Sequence, residues 1–280
     1  MIAYHETCFS IINIWLNDQL FRLLTETYII MKRLSRISFT SGRMSKTRPL
    51  QMTIVRHGQT QGNVKKLVEG ITDTPLNDTG KNQAKSAGEW LKEEKYDFIL
   101  TSDLKRTKET AACIMNENLD YHKNGANYAE LKLLRERNFG KLEGMGFVEY
   151  IETAAKEGFS WVDYTPEGGE SMDDVKNRCV EFLEMIFKII DGSSKTKPKV
   201  LVVTHGFVIA QLISYIYEAT KCSGIPEEVW SSQKQQVIMP NTAITRFDID
   251  YNGSTLQIKS AKCDIFKSKE HLPEYSPAFR

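Results

Sequence analysis

Lys199-Val200-Leu201-Val202-Val203-Thr204 is a continuous apolar run of strand-forming residues that stops at His205-Gly206. An apolar run without alternation is buried on both faces, the habit of a parallel sheet covered by helices. Thr53-Ile54-Val55 repeats the pattern and stops at Arg56-His57-Gly58. Two such strands commit the body of the chain to an open α/β class, whose ligands gather where the strands end. The residues delivered there carry chemistry. Imidazole is nucleophilic and near neutral at cell pH, and guanidinium grips an anion through parallel hydrogen bonds. Glycine after the histidine lets the backbone turn sharply and a substrate approach closely. A phosphate pocket with a histidine inside it follows.

The remaining elements supply the rest of the edge. Gln59 to Gly70 reads as a polar loop with a short helix, and Thr79 to Lys95 as an amphipathic helix with Ala84, Ala87, Trp90 and Leu91 at helical spacing. Asp97 to Thr101 is a second strand, followed by a helix to about Met115 that Asp103 is placed to cap. Tyr128 to Leu134 reads as a third strand ending at Arg135-Glu136-Arg137, and a looser Gly-rich segment runs on to Thr165. A long helix from Met172 to Ile190 begins at Ser171 and Asp174, an approximate capping box. Phe207 to Ala219 is helical; Ala243 to Asp250 and Thr255 to Ala261 are late strands, paired across Asn252-Gly253.

Arg56, His57, Arg106, Glu136 and His205 thus all lie at or just after predicted strand ends. Two histidines, two arginines and a carboxylate make a poor core and a good phosphoryl site. His57, fixed in one tautomer, can attack phosphorus. Arg56 and Arg106 can neutralise the equatorial oxygens, and His205, if protonated beside the dianion, adds a donor. Gly206 opens a helix whose amides are placed to help hold the anion. Glu136 can protonate the departing alkoxide and then activate water. This chemistry calls for no metal and no cofactor.

Those residues carry a resemblance. Arg56-His57-Gly58 with Asn63, Ser102-Asp103-Leu104-Lys105-Arg106-Thr107, Leu134-Arg135-Glu136-Arg137 and Thr204-His205-Gly206 are similar, in order and spacing, to the histidine phosphatase superfamily. The similarity covers about residues 51–265. It implies a phosphoglycerate mutase-like, three-layer α/β/α sandwich with a mostly parallel central sheet. It also implies His57 as nucleophile, Glu136 as proton donor, and Arg56, Arg106 and His205 around the phosphate. Asn63, Gly70 and Gly206 would be further substrate contacts. Within the superfamily, Leu104 to Lys108, Leu134 to Gly140, Pro166 to Ser171 and Pro240-Asn241-Thr242 resemble the TIGAR-type fructose-2,6-bisphosphatases. The tryptophan and Phe-Thr-Gly-Trp stretch of the mutases is missing from Gln59 to Gly70, which argues against mutase activity. Gln59 stands where many members have Glu. The expected partner is a small phosphorylated metabolite, with fructose-2,6-bisphosphate first. A mutase or bisphosphoglycerate phosphatase, and an inactive phosphopeptide-binding module, are the alternatives.

Several features remain open at this level. Gly168-Gly169-Glu170-Ser171 suits either a pocket closure or a helix start. Lys65 and Lys66 suit either a second phosphate or a solvated face. His5, His122 and His271 read as surface residues. The 280-residue chain is 41% hydrophobic and 26% charged, an ordinary globular composition. Its net charge of +1 gives no nucleic-acid signal. Residues 1–50 hold seven basic and three acidic residues and read as an extension, with 266–280 as a tail. Met31 to Leu50 has six basic residues, four serines and no acid, the composition of a mitochondrial presequence or of a disordered tail. No apolar run reaches the length of a membrane span, and no secretory signal is expected. Five scattered cysteines without a Cys-x-x-Cys pair suggest reduced thiols in the cytoplasm rather than disulfides or zinc.

Overall fold

The computed structural model describes residues 47–228 and 239–272. The segment 1–46, with His5 and Cys8, lies outside the described residues. Strand β1 (Thr47–Arg56) is followed by a one-turn helix α1 (Gln61–Val64) and by α2 (Asp78–Trp90). Next come β2 (Phe98–Thr101), α3 (Lys105–Glu117), the short α4 (Leu119–Asn124) and β3 (Asn127–Glu130). Helices α5 (Phe147–Lys156) and α6 (Met172–Asp191) precede β4 (Lys199–Thr204) and α7 (Gly206–Thr220). Strands β5 (Ile244–Asn252) and β6 (Ile258–Ser268) close the series.

The six strands form one sheet in the order β3-β2-β4-β1-β5-β6. β3, β2, β4 and β1 run parallel, and β5 and β6 are antiparallel additions. The two strands read first from the sequence are neighbours at the centre, with Ile54 opposite Val202 and Val55 opposite Val203. Alternation sends their side chains to opposite faces. Val55, Leu201 and Val203 pack with Ala87 and Leu91 of α2 and Ala111 and Ile114 of α3. Ile54, Val200 and Val202 are buried on the other face, where α6 and α7 supply Val175, Cys179, Phe182, Val208 and Leu212. Burying both faces is what the unbroken apolar runs require. Ser171 and Asp174 form the expected capping box at the start of α6.

Four local readings are corrected. The third strand stops at Glu130 instead of Leu134, and Lys132–Leu134 is a 3-10 turn. β3 pairs with β2 alone, and β2 ends at Thr101, so the chain has no further ladder to join. Asp103 does not cap α3, whose Leu104 N-cap lacks a side-chain bond; both its oxygens take Arg135 at 2.7 Å instead. The segment read as loose contains α5, which buries Tyr150 and Ala154 at i, i+4 spacing. β1 begins at Thr47, inside the stretch read as an extension, because the long antiparallel β5 partners Thr47 to Val55.

Gly58 serves packing rather than substrate approach. A Cβ there would lie 2.4 Å from the Gly80 carbonyl oxygen, and a Cβ on Gly80 would lie 2.0 Å from that of Gln59. Two backbones touch, and neither can yield as a flexible side chain would. A Gly80→Ala substitution is therefore expected to cost about 1–3 kcal/mol or more through overpacking. Its urea-unfolding midpoint would fall; an unchanged midpoint would show that this contact is not tight.

Candidate active site

The carboxyl ends of the parallel strands meet the loop after β1 around a cavity of about 100 Å³. Arg56, His57, Asn63, Glu69, Gly70, Arg106, Glu136 and Gly206 line it, with Leu67, Val68, Phe139, Phe147 and Phe207. Seven of the eight residues singled out from the sequence are in that lining. The eighth, His205, is fully buried, its ring centroid 5.2 Å from that of His57.

Each imidazole is held in one tautomer. His57 Nδ1 lies 2.8 Å from the Gly58 carbonyl oxygen, which can only accept, so Nδ1 carries the proton and Nε2 a lone pair. Burial pushes the His57 pKa well below its usual 6.5, and the Arg56 and Arg106 charges push the same way. His205 Nδ1 accepts from Arg106 Nε at 3.2 Å, which leaves the proton on Nε2. That Nε2 is buried without a partner among the described residues, a donor still free for an anion. Burial, then Arg106, His57 and Arg56, hold the His205 pKa well below 6.5, so it donates as a neutral ring.

The arginines differ in how they are tied. Arg106 is 1% exposed and spends its nitrogens on His205, the Thr72 carbonyl at 2.7 Å and the Gly70 carbonyl at 2.6 Å. Arg56 Nη1 donates to the Met239 carbonyl, and its Nε is buried without a partner among the described residues. Burial lowers both guanidinium pKa values, opposed in each case by Glu136 and Glu69. Gly206 leaves space beside both kinds of group: a Cβ there would sit 3.5 Å from Glu136 Oε2 and 3.9 Å from Arg56 Nε.

The second amide of α7 is already engaged. Phe207 N donates to both Glu136 oxygens, at 3.2 and 3.3 Å, and Arg137 N donates to Oε1 at 2.9 Å. These bonds fix the carboxylate at the cavity wall. Asn63 is fixed as well. Its Oδ1 accepts from Thr60 N at 3.2 Å and Asn241 Nδ2 at 3.0 Å, and its Nδ2 donates to Glu69 Oε2 at 2.8 Å. Asn241 Nδ2 also donates to the His57 carbonyl at 3.1 Å, tying the loop before β5 to the His57 backbone.

Sequence reasoning missed four contributors. Glu69 precedes Gly70 in a loop with no periodicity. Glu143 accepts from Ile71 N at 2.8 Å and Thr72 Oγ1 at 2.6 Å, steadying the carbonyls that hold Arg106. Arg137 is fully buried, donates to the Glu170, Val162 and Tyr164 carbonyls, and lies against the Phe139 and Phe207 rings. Those rings belong to an aromatic cluster with Tyr150, Phe147 and Trp161 that forms the apolar side of the cavity. Phe147 and Tyr150 at helical spacing were the available signal.

The alternatives for Gly168 to Ser171 resolve. Glu170 binds Arg178 at 2.9 Å and Asn138 N at 2.9 Å, Ser171 caps α6, and neither lines the cavity, so this turn is a helix start. Lys65 and Lys66 are exposed. His122 is exposed as expected, but His271 is half-buried. Its Nε2 lies 3.0 Å from Thr242 Oγ1, its ring lies 5.6 Å from that of Trp90, and burial lowers its pKa to about 4. Gln59 turns away, with its amide on Gln83 and its side chain on Asn77. Among the described residues, no His, Cys, Asp and Glu group is arranged to hold a metal ion, and no helix is long and apolar enough to cross a membrane.

The depressed histidines make stability depend on pH. The unfolded chain binds more protons than the folded one below about 6.5, so this stabilisation is complete above that pH and is lost as pH falls. Denaturation midpoints are expected to drop from pH 7 to pH 5, less steeply in His57→Asn. Parallel curves for the two proteins would contradict the buried neutral ring.

The chain is similar in sequence and fold to known phosphatases. The chain is 33% identical over 251 residues to fructose-2,6-bisphosphatase TIGAR B of Danio rerio, covering 80% of this chain and 96% of that protein. It is 30% identical over 203 residues to a broad-specificity phosphatase of Saccharomyces cerevisiae, 71% of this chain and 79% of the relative. A solved mycobacterial glucosyl-3-phosphoglycerate phosphatase superposes with a TM-score of 0.62 at 26% identity, over 80% of this chain and 100% of that one. Residues 52–261 match the histidine phosphatase superfamily (branch 1), and with its buried histidine pair at the sheet edge this chain belongs to that superfamily.

Proposed function

We propose that this chain is a metal-independent phosphomonoesterase that works through a phosphohistidine on His57, with fructose-2,6-bisphosphate as its leading substrate. The observation that carries the reading is the His57 ring. Its Nδ1 proton is committed to the Gly58 carbonyl and burial keeps it neutral, so its other nitrogen is available beside two guanidinium groups. In the first step His57 Nε2 forms a bond to phosphorus as the ester P–O bond breaks. Glu136 gives its proton to the departing alkoxide. In the second, Glu136 takes a proton from water, the water oxygen bonds to phosphorus, and the P–N bond breaks to release inorganic phosphate. Arg56, Arg106 and the His205 Nε2 proton face the oxygens on which charge spreads in both transition states. The substrate assignment draws on the activity named for TIGAR B, which the chain matches over nearly all of that protein's length.

Hydrolysis of an aryl phosphate in the presence of EDTA tests the reaction class. His57→Ala is expected to lose at least about a thousandfold in kcat with the fold intact by circular dichroism; near-normal turnover would remove His57 as the nucleophile. Glu136→Gln should slow alkyl phosphates by about 10²-fold or more and aryl phosphates far less, since a good leaving group needs no proton. Equal slowing would count against Glu136 as the acid. A kcat/KM panel over fructose-2,6-bisphosphate and other phosphosugars and phosphoglycerates would decide the substrate.

A further inference from the structure

Two carboxylates line the cavity, and the mechanism uses only Glu136. Glu69 is held as firmly as any group there. Its Oε2 accepts from Thr60 Oγ1 at 2.7 Å and from Asn63 Nδ2 at 2.8 Å, and its Oε1 accepts from Thr74 Oγ1 at 2.6 Å. The backbone makes room for it: a Cβ on Gly62 would lie 2.5 Å from Glu69 Oε1. All three of these donors are uncharged. They fix the carboxylate without cancelling its charge, which acts on both Arg56 and Arg106. A phosphate dianion between those guanidinium groups therefore meets a fixed negative charge in a small, partly buried cavity, where a charge is screened less than in open water.

We propose that Glu69 sets the phosphate affinity of the site, weakening the hold of the two arginines so that inorganic phosphate leaves after each turnover. This rests on the phosphatase reading above. Substrate and product carry the same dianionic group, so Glu69 opposes both alike. Loss of its charge lowers KM and the inhibition constant for phosphate together, with no gain in kcat. A purely structural role predicts the opposite sign. Disturbing Asn63 and the loop that carries Gly70 would weaken anion binding and raise both constants.

The test is calorimetric titration of inorganic phosphate into the full chain, wild type against Glu69→Gln. Gln keeps the length of the side chain and an acceptor for Thr60 and Asn63. Phosphate is expected to bind about tenfold more tightly, with KM for an aryl phosphate lowered in parallel. Glu69→Asp, which keeps the charge, should stay near the wild-type affinity. If Gln disturbs the contact with Gly62 and the variant does not fold, Glu69→Ala removes charge and contact together and should also tighten binding. Unchanged or weaker phosphate binding in the neutral variants would overturn the proposal, as would wild-type protein that binds no phosphate. Wild-type turnover of the aryl ester is measured alongside. Its absence, with phosphate still bound, removes the phosphatase reading and leaves the role of Glu69 to be judged on the titration.

Discussion

Two guanidinium groups packed into the interior are the constraint that the surrounding structure answers. Taking a cation out of water is costly unless hydrogen bonds and opposite charges replace the hydration. Arg106 receives that replacement from the Gly70 and Thr72 carbonyls and the His205 ring. Arg56 receives part of it from the Met239 carbonyl. Glu69 and Glu136 provide the opposing charge for both. The loop after β1 therefore folds as it does because its carbonyls have a cation to satisfy, and Glu143 anchors that loop from the far side. What is left unsatisfied is informative. Arg56 Nε and His205 Nε2 are buried donors without partners among the described residues; Arg56 lines the cavity and His205 lies against the His57 ring.

The same packing fixes the protonation states. Imidazoles buried beside fixed positive charge stay neutral. The neutral His57 ring keeps a lone pair on Nε2; the neutral His205 ring keeps a proton there, its position set by Arg106. One interaction, burial next to the arginines, gives two identical side chains different roles through the partner that each Nδ1 finds. The cavity's other side is aromatic, built on Arg137, whose buried charge is spread over three carbonyls and two ring faces. That side comes largely from the segment between β3 and α6, which also carries Glu136.

The sequence alone determined the central strands, their burial on both faces and the residues at their ends. An unbroken apolar run followed by a charged or imidazole residue and glycine has few alternatives in a folded chain. It also determined which polar residues would gather, because parallel strands end on one side. Only the tertiary structure decided what those residues do to one another. The His205 charge state, the use of the second α7 amide by Glu136 and the contact of Gly58 with Gly80 all depend on groups far apart in the chain. So do Glu69, Glu143 and Arg137, which stand in segments without periodicity and acquire meaning only from their distant partners. Local pattern reports which face a residue takes; burial, charge and hydrogen bonding are set by whatever the fold brings to that face.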